Sequence, residues 1–349
     1  MLASFYRGKR VFLTGHTGFK GAWLALWLNQ MDAKVGAYSA ESPSTPSLWN
    51  LAKVEGDVER LGGDVRDPEE IARAMSSFQP DIVIHMAAQS LVRHSYAEPL
   101  LTFDTNVMGT ANLLEAVRKT PCVRAVINVT SDKCYENREQ SIGYREGDRM
   151  GGHDPYSASK GCAELVAASY IKSYFEKSRT AVASVRAGNV IGGGDFATDR
   201  LVPDMVRAFA DKLPVHIRSP HATRPWQHVL EPLNGYLSLA RKLFKNGQQF
   251  SGGWNFGPSD ESTRTVGEMV QLFSELWGDE AVHQLDEDCH PHEATLLKLD
   301  CTKAMTELEW QPKMNFRRAM EMTASWYMEW NQGTDVRELT LNQIAGFDE

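Results

Sequence analysis

KRVFLTGHTGFKG, residues 9–21, joins an apolar run to three glycines within a few residues. The run reads as a buried strand, and Gly15, Gly18 and Gly21 follow it at GxxGxxG spacing. Behind them GAWLALWLNQM (21–31) has helical length, with large apolar residues too dense for an exposed face. A strand, a glycine turn and a helix in that order bring the backbone close to a pyrophosphate and aim helix N–H groups at it. A lone glycine triplet means little. The strand before it and the helix after it give this one weight.

The pattern continues outward from that unit. KVGAY (34–38) reads as a second strand, VERLGGD (58–64) as a short third, and PEEIARAMSSF (68–78) as a helix. PDIVIHMAA (80–88) is a fourth strand with a nearly continuous apolar core, and residues 99–119 form one long helix. VRAVINV (123–129), a helix over 154–175 and TAVASVRAG (180–188) complete the alternation. Strands this apolar are covered on both faces, so the expected fold class is α/β, a doubly wound parallel (Rossmann-type) sheet. After about residue 190 glycines and prolines interrupt shorter elements, with helices expected at 201–211, 231–245, 266–277 and 316–331. We therefore expect a dinucleotide-binding domain over 1–187, with a return segment near 226–250. A smaller C-terminal lobe takes most of 188–349.

The 349 residues are 23% charged and 42% apolar, ordinary for a soluble globular chain. A net charge of −8 offers no basic field to a polyanion, which argues against nucleic acid as a partner. MLASFYRGKR lacks the apolar core of a signal peptide, and no apolar stretch reaches spanning length, so no membrane is expected. Cysteines 122, 134, 162, 289 and 301 are odd in number and never spaced as CxxC, as for reduced thiols in a cytoplasmic protein.

A carboxylate at the end of the second strand normally holds the adenosine ribose. Here the strand ends Tyr38-Ser39-Ala40, Glu41 comes late, and no arginine stands there for a 2′-phosphate, which favours NAD over NADP. Asp64, ending the third strand, is placed for the adenine amino group. His16 and Lys20 are unusual in such a loop, since a lysine in a first helical turn opposes the dipole unless it faces an anion.

YSASK sets Tyr156 and Lys160 at i and i+4 on one helix face, where an ammonium lowers a phenol pKa from about 10 toward neutrality. VTSDKCYE (129–136) releases Ser131, Asp132 and Lys133 together from the end of the fifth strand.

At this point the chain resembles the extended short-chain dehydrogenases/reductases that act on nucleotide sugars. TGHTGFKG, HMAAQS (85–90), TNVMGT (105–110), YSASK and RAGNVIGGGD (186–195) stand in that family's order. Within it TSDKCY resembles the fifth-strand motif of the 4,6-dehydratases. The Asp-Lys pair and the HTGFK insert are those of the subgroup acting on CDP-glucose. The resemblance implies NAD held by Gly15, His16, Thr17, Gly18, Phe19, Lys20, Gly21, Asp64, Val65, Ala87, Ala88 and Asn106, with Tyr156 and Lys160. It implies substrate contacts at Ser90, Asn189, Leu201, His216 and Arg224, and catalysis by Ser131, Asp132, Lys133, Tyr156 and Lys160. It also implies a homodimer through helices near 99–119 and 155–176, and a place in synthesis of 3,6-dideoxyhexoses for lipopolysaccharide O-antigen.

The chemistry accounts for the trio. A ketone at C4 of a glucosyl group makes the C5 hydrogen acidic, so a base removes it while an acid protonates the departing C6 hydroxyl. For that, Asp132 must hold a proton and Lys133 must have shed one; burial favours both neutral forms and a mutual ion pair opposes them. A nucleotide-sugar 4-epimerase would need Ser131 and Tyr156 but not Asp132-Lys133, and a non-catalytic NAD-binding protein would need neither set. The late arginine of other dehydratases is replaced by HPHEATLLKLD (290–300). CHPHE (289–293) is read as a sugar-nucleotide loop and not a metal site, because adjacent residues converge poorly on one ion.

Overall fold

The computed structural model describes residues 2–278, 282–285 and 296–348. Six strands in chain order share one sheet with a seventh, Gly252–Phe256. They are β1 (Arg10–Thr14), β2 (Lys34–Tyr38), β3 (Glu59–Arg60), β4 (Ile82–His85), β5 (Ala125–Val129) and β6 (Ala181–Ala187). The order across the sheet is Gly252–Phe256, β6, β5, β4, β1, β2, β3, and every neighbouring pair is parallel. This is the doubly wound sheet expected from the alternation. β4, β5 and β6 are buried along their whole length, as strands covered on both faces must be.

The chain winds outward from β1 to β3 on one side and returns to lay β4 on the other. That reversal opens a crevice at the carboxyl ends of β1 and β4. Thr14 pins its two lips together. Its hydroxyl lies 2.7 Å from His85 Nδ1 and accepts the N–H groups of Met86 and Ala87, each at 3.1 Å.

In the helix Phe19–Gln30, Gly21 through Leu28 are all buried. The helix is packed between the sheet and the helices Leu230–Asn246 and Val336–Asp348, and Trp27 meets Phe347 edge-on at 5.7 Å. Each large apolar side chain so buried contributes about 1.5–3 kcal/mol. The element that presents the glycine turn is therefore held rigidly from behind.

Two expected helices are interrupted. Residues 99–119 form helix over Pro99–Phe103 and Gly109–Arg118 with a wide π turn at Asp104–Met108, and Pro155–Tyr170 runs on into a π turn at Ile171–Phe175. In the first π turn Asn106 bonds across to Gln89 and Ser159. VERLGGD yields only Glu59–Arg60 as strand, since Gly62 and Gly63 take φ of +62° and +122°.

Beyond β6, helices Leu201–Ala210, Leu230–Asn246, Val266–Trp277 and Phe316–Asn331 match expectation within a residue at each end. Three two-stranded ribbons hold the intervening loops. They are Val190–Ile191 with Gln227–His228, Thr223–Pro225 with Thr263–Thr265, and Val215–Ile217 with His283–Leu285. Leu230–Asn246 packs on β5 and β6, and Gly252–Phe256 then joins the sheet edge. Among the described residues no helix is long and apolar enough to cross a membrane.

Candidate active site

A cleft of about 1060 Å³ runs from the glycine loop, past the end of β5, to the loops after β6. At its first end Gly15 takes φ +71°, and a Cβ there would stand 2.6 Å from Ala87 N. A Cβ on Gly21 would stand 2.1 Å from Gly15 O, so loop and helix touch backbone to backbone. Gly18 caps the helix Phe19–Gln30, and only Gly15 O, at 3.4 Å, would lie near a Cβ there. The first helical N–H groups have no intrahelical partner and mark an anion site. Thr17, Phe19, Lys20, Asp64, Val65, Ala87 and Ala88 line the same end.

Two residues read as cofactor ligands do not line the cleft. His16 is buried against Trp49, with ring centroids 4.7 Å apart and its pKa pushed down to about 4, chiefly by burial. Asn106 stands behind the wall. Its amide donates to Gln89 O and Ser159 Oγ and accepts from Gln89 N, so it shapes the 87–91 loop. Asp64 lines the cleft, but Arg66 holds both its carboxylate oxygens, at 2.5–3.1 Å, and keeps its pKa below the usual range. Lys20 turns inward. Burial, then Arg200, lowers its pKa to about 8, while Asp132 and Asp195 oppose that shift.

The centre of the cleft is made by the end of β5 and the helix Pro155–Tyr170. Asp154 caps that helix, accepting from Ser157 N at 2.9 Å, and Pro155 opens it. The start of the helix is also fixed by Tyr156 N donating to Ser95 Oγ at 3.1 Å. Ser131 caps the tight turn Asp132–Cys134. Its hydroxyl accepts Lys133 N at 3.2 Å and donates to Asp132 Oδ1 at 2.9 Å. Asp132 is 4% exposed, and its Oδ2 has no hydrogen-bond partner among the described residues. Burial raises its pKa against the opposing fields of Lys133, Ser131 and Arg224.

Spacing alone leads one to expect a depressed Tyr156 phenol. In the fold burial wins and pushes it up to about 12, with Ser131 opposing. Lys160 Nζ donates to Val129 O at 3.3 Å, and burial followed by Lys20 lowers its pKa to about 7. The helix thus brings both side chains to the cleft, while the lysine is tied to the end of β5.

At the far end Ser90, Asn189, Leu201, His216 and Arg224 all line the cleft. Asn189 O accepts Gln227 N at 3.0 Å. Arg224 is 6% exposed and its field reaches Asp132. Sequence reasoning missed Arg200, which crosses from Asp195 (2.8 Å) to Ser90 (3.1 Å), and the Arg93–Asp199 pair at 2.9 Å. Loop residues without periodic spacing carry no local signal of such pairings. CHPHE (289–293) lies outside the described residues, and among those described no group of three or more His, Cys, Asp or Glu could hold a metal.

Residues 12–323 match the family model described as GDP-mannose 4,6 dehydratase. A CDP-glucose 4,6-dehydratase of Salmonella typhimurium is 50% identical over 349 residues, covering 99% of this chain and 97% of its own. The dTDP-glucose 4,6-dehydratase DesIV of Streptomyces venezuelae, solved as a double mutant with NAD, is 26% identical with a TM-score of 0.78. That match covers 93% of this chain and 98% of DesIV. The UDP-glucose 4-epimerase of Thermus thermophilus, solved with NAD, matches at 25% identity and TM-score 0.78 over 91% of this chain and 99% of its own. With the glycine cradle, the Tyr156–Lys160 helix and the Ser131-Asp132-Lys133 turn meeting in one cleft, the chain belongs to the GDP-mannose 4,6 dehydratase family of extended short-chain dehydrogenases/reductases.

Proposed function

We propose that this protein is an NAD-dependent hydro-lyase that converts CDP-glucose to CDP-4-dehydro-6-deoxyglucose. One observation carries the reading. Beside Tyr156, Ser131 aligns a buried acid, Asp132, whose burial favours the protonated form, with Lys133 next to it. An epimerase has no use for that pair. The 50% identity to a CDP-glucose enzyme supports the choice of nucleotide.

The residues present fit NAD. The Gly15–Gly21 cradle excludes side chains where a pyrophosphate needs backbone, and the cleft continues past Asp64 and Val65 toward Lys160. When bound, NAD supplies the oxidation at C4 and the matching reduction at C6, so the sugar loses water with no net redox change.

The rest of the chemistry falls to the chain. Ser131 and Tyr156 hold the C4 oxygen, and the phenol takes the C4 hydroxyl proton as it passes its own to Lys160, whose pKa of about 7 leaves it able to accept one. The ketone acidifies C5–H, and Lys133 Nζ removes that proton. Asp132 gives its proton to the C6 oxygen, which departs as water as the C5–C6 double bond forms. Lys160, lowered to about 7 by burial, stands behind the phenol as the acceptor of that proton and carries positive charge once it has taken it. Arg224 and Asn189 hold the diphosphate, Arg224 as a bidentate cation. Ser90 meets the sugar, and Leu201 and His216 line the base pocket.

We also place two copies of the chain together through the helical segments 99–118 and 155–175. There Leu100, Met108 and Leu165 are 83%, 51% and 61% exposed, which supports an apolar contact. The unpaired Cys122, Cys134, Cys162 and Cys301 accord with a cytoplasmic enzyme, and the keto-deoxy product suits a route to dideoxyhexoses of O-antigen.

The test is incubation with NAD and each of CDP-, dTDP-, GDP- and UDP-glucose, followed by alkali. A 4-keto-6-deoxy sugar then gives a new ultraviolet absorbance. Product from CDP-glucose in clear preference supports the reading. An epimer, or no product from any of the four, defeats it.

A further inference from the structure

The catalytic turn is short, and each of its flanking residues is tied to the same buried ion pair. Glu164 lies on the helix Pro155–Tyr170, four residues beyond Lys160 and therefore on the same face. Its carboxylate receives two parallel bonds from Arg186 of β6, Nε to Oε1 and Nη2 to Oε2, both at 2.8 Å. The two side chains are 6% and 4% exposed. Thr130, immediately before Ser131, donates its hydroxyl to Glu164 Oε1 at 2.5 Å. Tyr135, just after Cys134, accepts Arg186 Nη1 on its phenol oxygen at 2.5 Å and donates to Asn255 Oδ1 at 2.7 Å. Asn255 in turn donates to Tyr144 O and Asp300 O, at 2.8 and 3.0 Å. The Tyr135 and Tyr144 rings stack 5.2 Å apart.

We propose that the Glu164–Arg186 pair is a clamp that grips the catalytic turn at Thr130 and Tyr135 and so positions Ser131, Asp132 and Lys133 against Tyr156 and Lys160. Three features argue for positioning over general stability. A buried ion pair is a weak source of net stability, because desolvating both charges offsets most of their attraction. Its best-attested use is to enforce one arrangement. Secondly, the network is complete: both Glu164 oxygens, the Thr130 hydroxyl, the Tyr135 phenol and the Asn255 amide all have partners. Asp132 Oδ2, inside the clamp, has none among the described residues. A satisfied frame around one unsatisfied acid is what a preorganised proton donor requires.

Thirdly, one pair ties the two elements that carry the chemistry, the end of β5 and the Tyr156–Lys160 helix, and through Tyr135 and Asn255 braces them against the segments at 144 and 300. None of Thr130, Tyr135, Glu164 or Arg186 donates or accepts the reacting protons. They are positioning residues, and this role rests on the dehydratase reading above.

The test uses substitutions that keep shape, in the full-length protein: Thr130→Val and Tyr135→Phe, with Thr130→Ser to restore the hydroxyl. Steady-state turnover of CDP-glucose, thermal melting and amide hydrogen exchange are measured for each. The clamp predicts that kcat falls about ten- to hundredfold, since misplacement of about 1 Å costs up to that much. KM and melting temperature stay near the parent's, exchange quickens only around residues 129–136, and Thr130→Ser recovers turnover. Unchanged kcat and unchanged local exchange in both variants overturn the proposal. So does a loss of kcat that tracks a lower melting temperature with exchange rising throughout the chain. Should the parent enzyme fail on CDP-glucose, the dehydratase reading falls separately, and local exchange still decides whether the clamp holds the turn.

Discussion

Replacing Asp132 by Asn should separate chemistry from folding. Asn Oδ1 can still accept the Ser131 hydroxyl that Asp132 Oδ1 accepts at 2.9 Å, so Ser131 keeps its orientation. The other oxygen, Oδ2, has no hydrogen-bond partner among the described residues to lose. What disappears is the transferable proton. General acid catalysis contributes about 10²–10⁴-fold, so kcat should fall by that factor, equivalent to about 2.7–5.4 kcal/mol of barrier. Stability should move the other way. The folded pKa of Asp132 is raised by burial, so its contribution is fully present below the unfolded value and is lost as pH rises through the folded one. Once pH has risen past that folded value the ionised carboxylate is a liability that Asn removes, and the melting temperature should hold or rise there. The assay is product formation at saturating CDP-glucose and NAD, with near-ultraviolet absorbance read in parallel, because C4 oxidation should proceed while water loss stalls. A variant turning over within about threefold of the parent would refute the assignment of Asp132 as the acid.

Gly21→Ala places a Cβ 2.1 Å from Gly15 O and should weaken NAD at least about tenfold (1.4 kcal/mol) in calorimetric titration. Gly56→Ala, where nothing lies within 4 Å, should leave NAD affinity unchanged. Glu231 is 1% exposed, and its carboxyl is pushed from 4.5 up to about 7 by burial, so its stabilising share is lost as pH rises through 7. Glu231→Gln should therefore stabilise the fold by up to about 3 kcal/mol at pH 8 and by little near pH 4, and a lower melting temperature at pH 8 would contradict this. In the proposed pairing of two copies Leu165, 61% exposed in the single chain, becomes covered, so Leu165→Glu should shift sedimentation toward the monomer, a leucine contact of that kind contributing about 1.5–3 kcal/mol.

Local rules reach far in this chain. Strand–glycine–helix order and apolar runs of strand length are written in neighbouring residues, and the structure adds N-caps at Asp67, Asp154, Thr265 and Asn315. Helices 266–277 and 316–331 match the expected bounds to the residue. The motifs that define the site are equally local: TGHTGFKG, TSDKCY and YSASK each sit at a junction that secondary structure itself directs to the carboxyl edge of the sheet.

What local order could not decide was the environment of each side chain. Lys20 and His16 are four residues apart, yet one enters the cleft and the other packs on Trp49, because His16 sits in the turn and Lys20 in the first turn of the helix. The π turn at 104–108 puts Asn106 behind the wall, and Arg66 takes up Asp64. Tyr156 keeps its proton because desolvation outweighs the charges around it, and desolvation depends on every element packed nearby. The Glu164–Arg186 clamp joins residues 22 apart and reaches Tyr135 and Asn255, 120 apart. The sheet, the glycine turn and the positions of the candidate reactive groups follow from neighbours along the chain. Their protonation, their partners and their final aim were decided by tertiary structure, because burial and long-range hydrogen bonds exist only once distant segments meet.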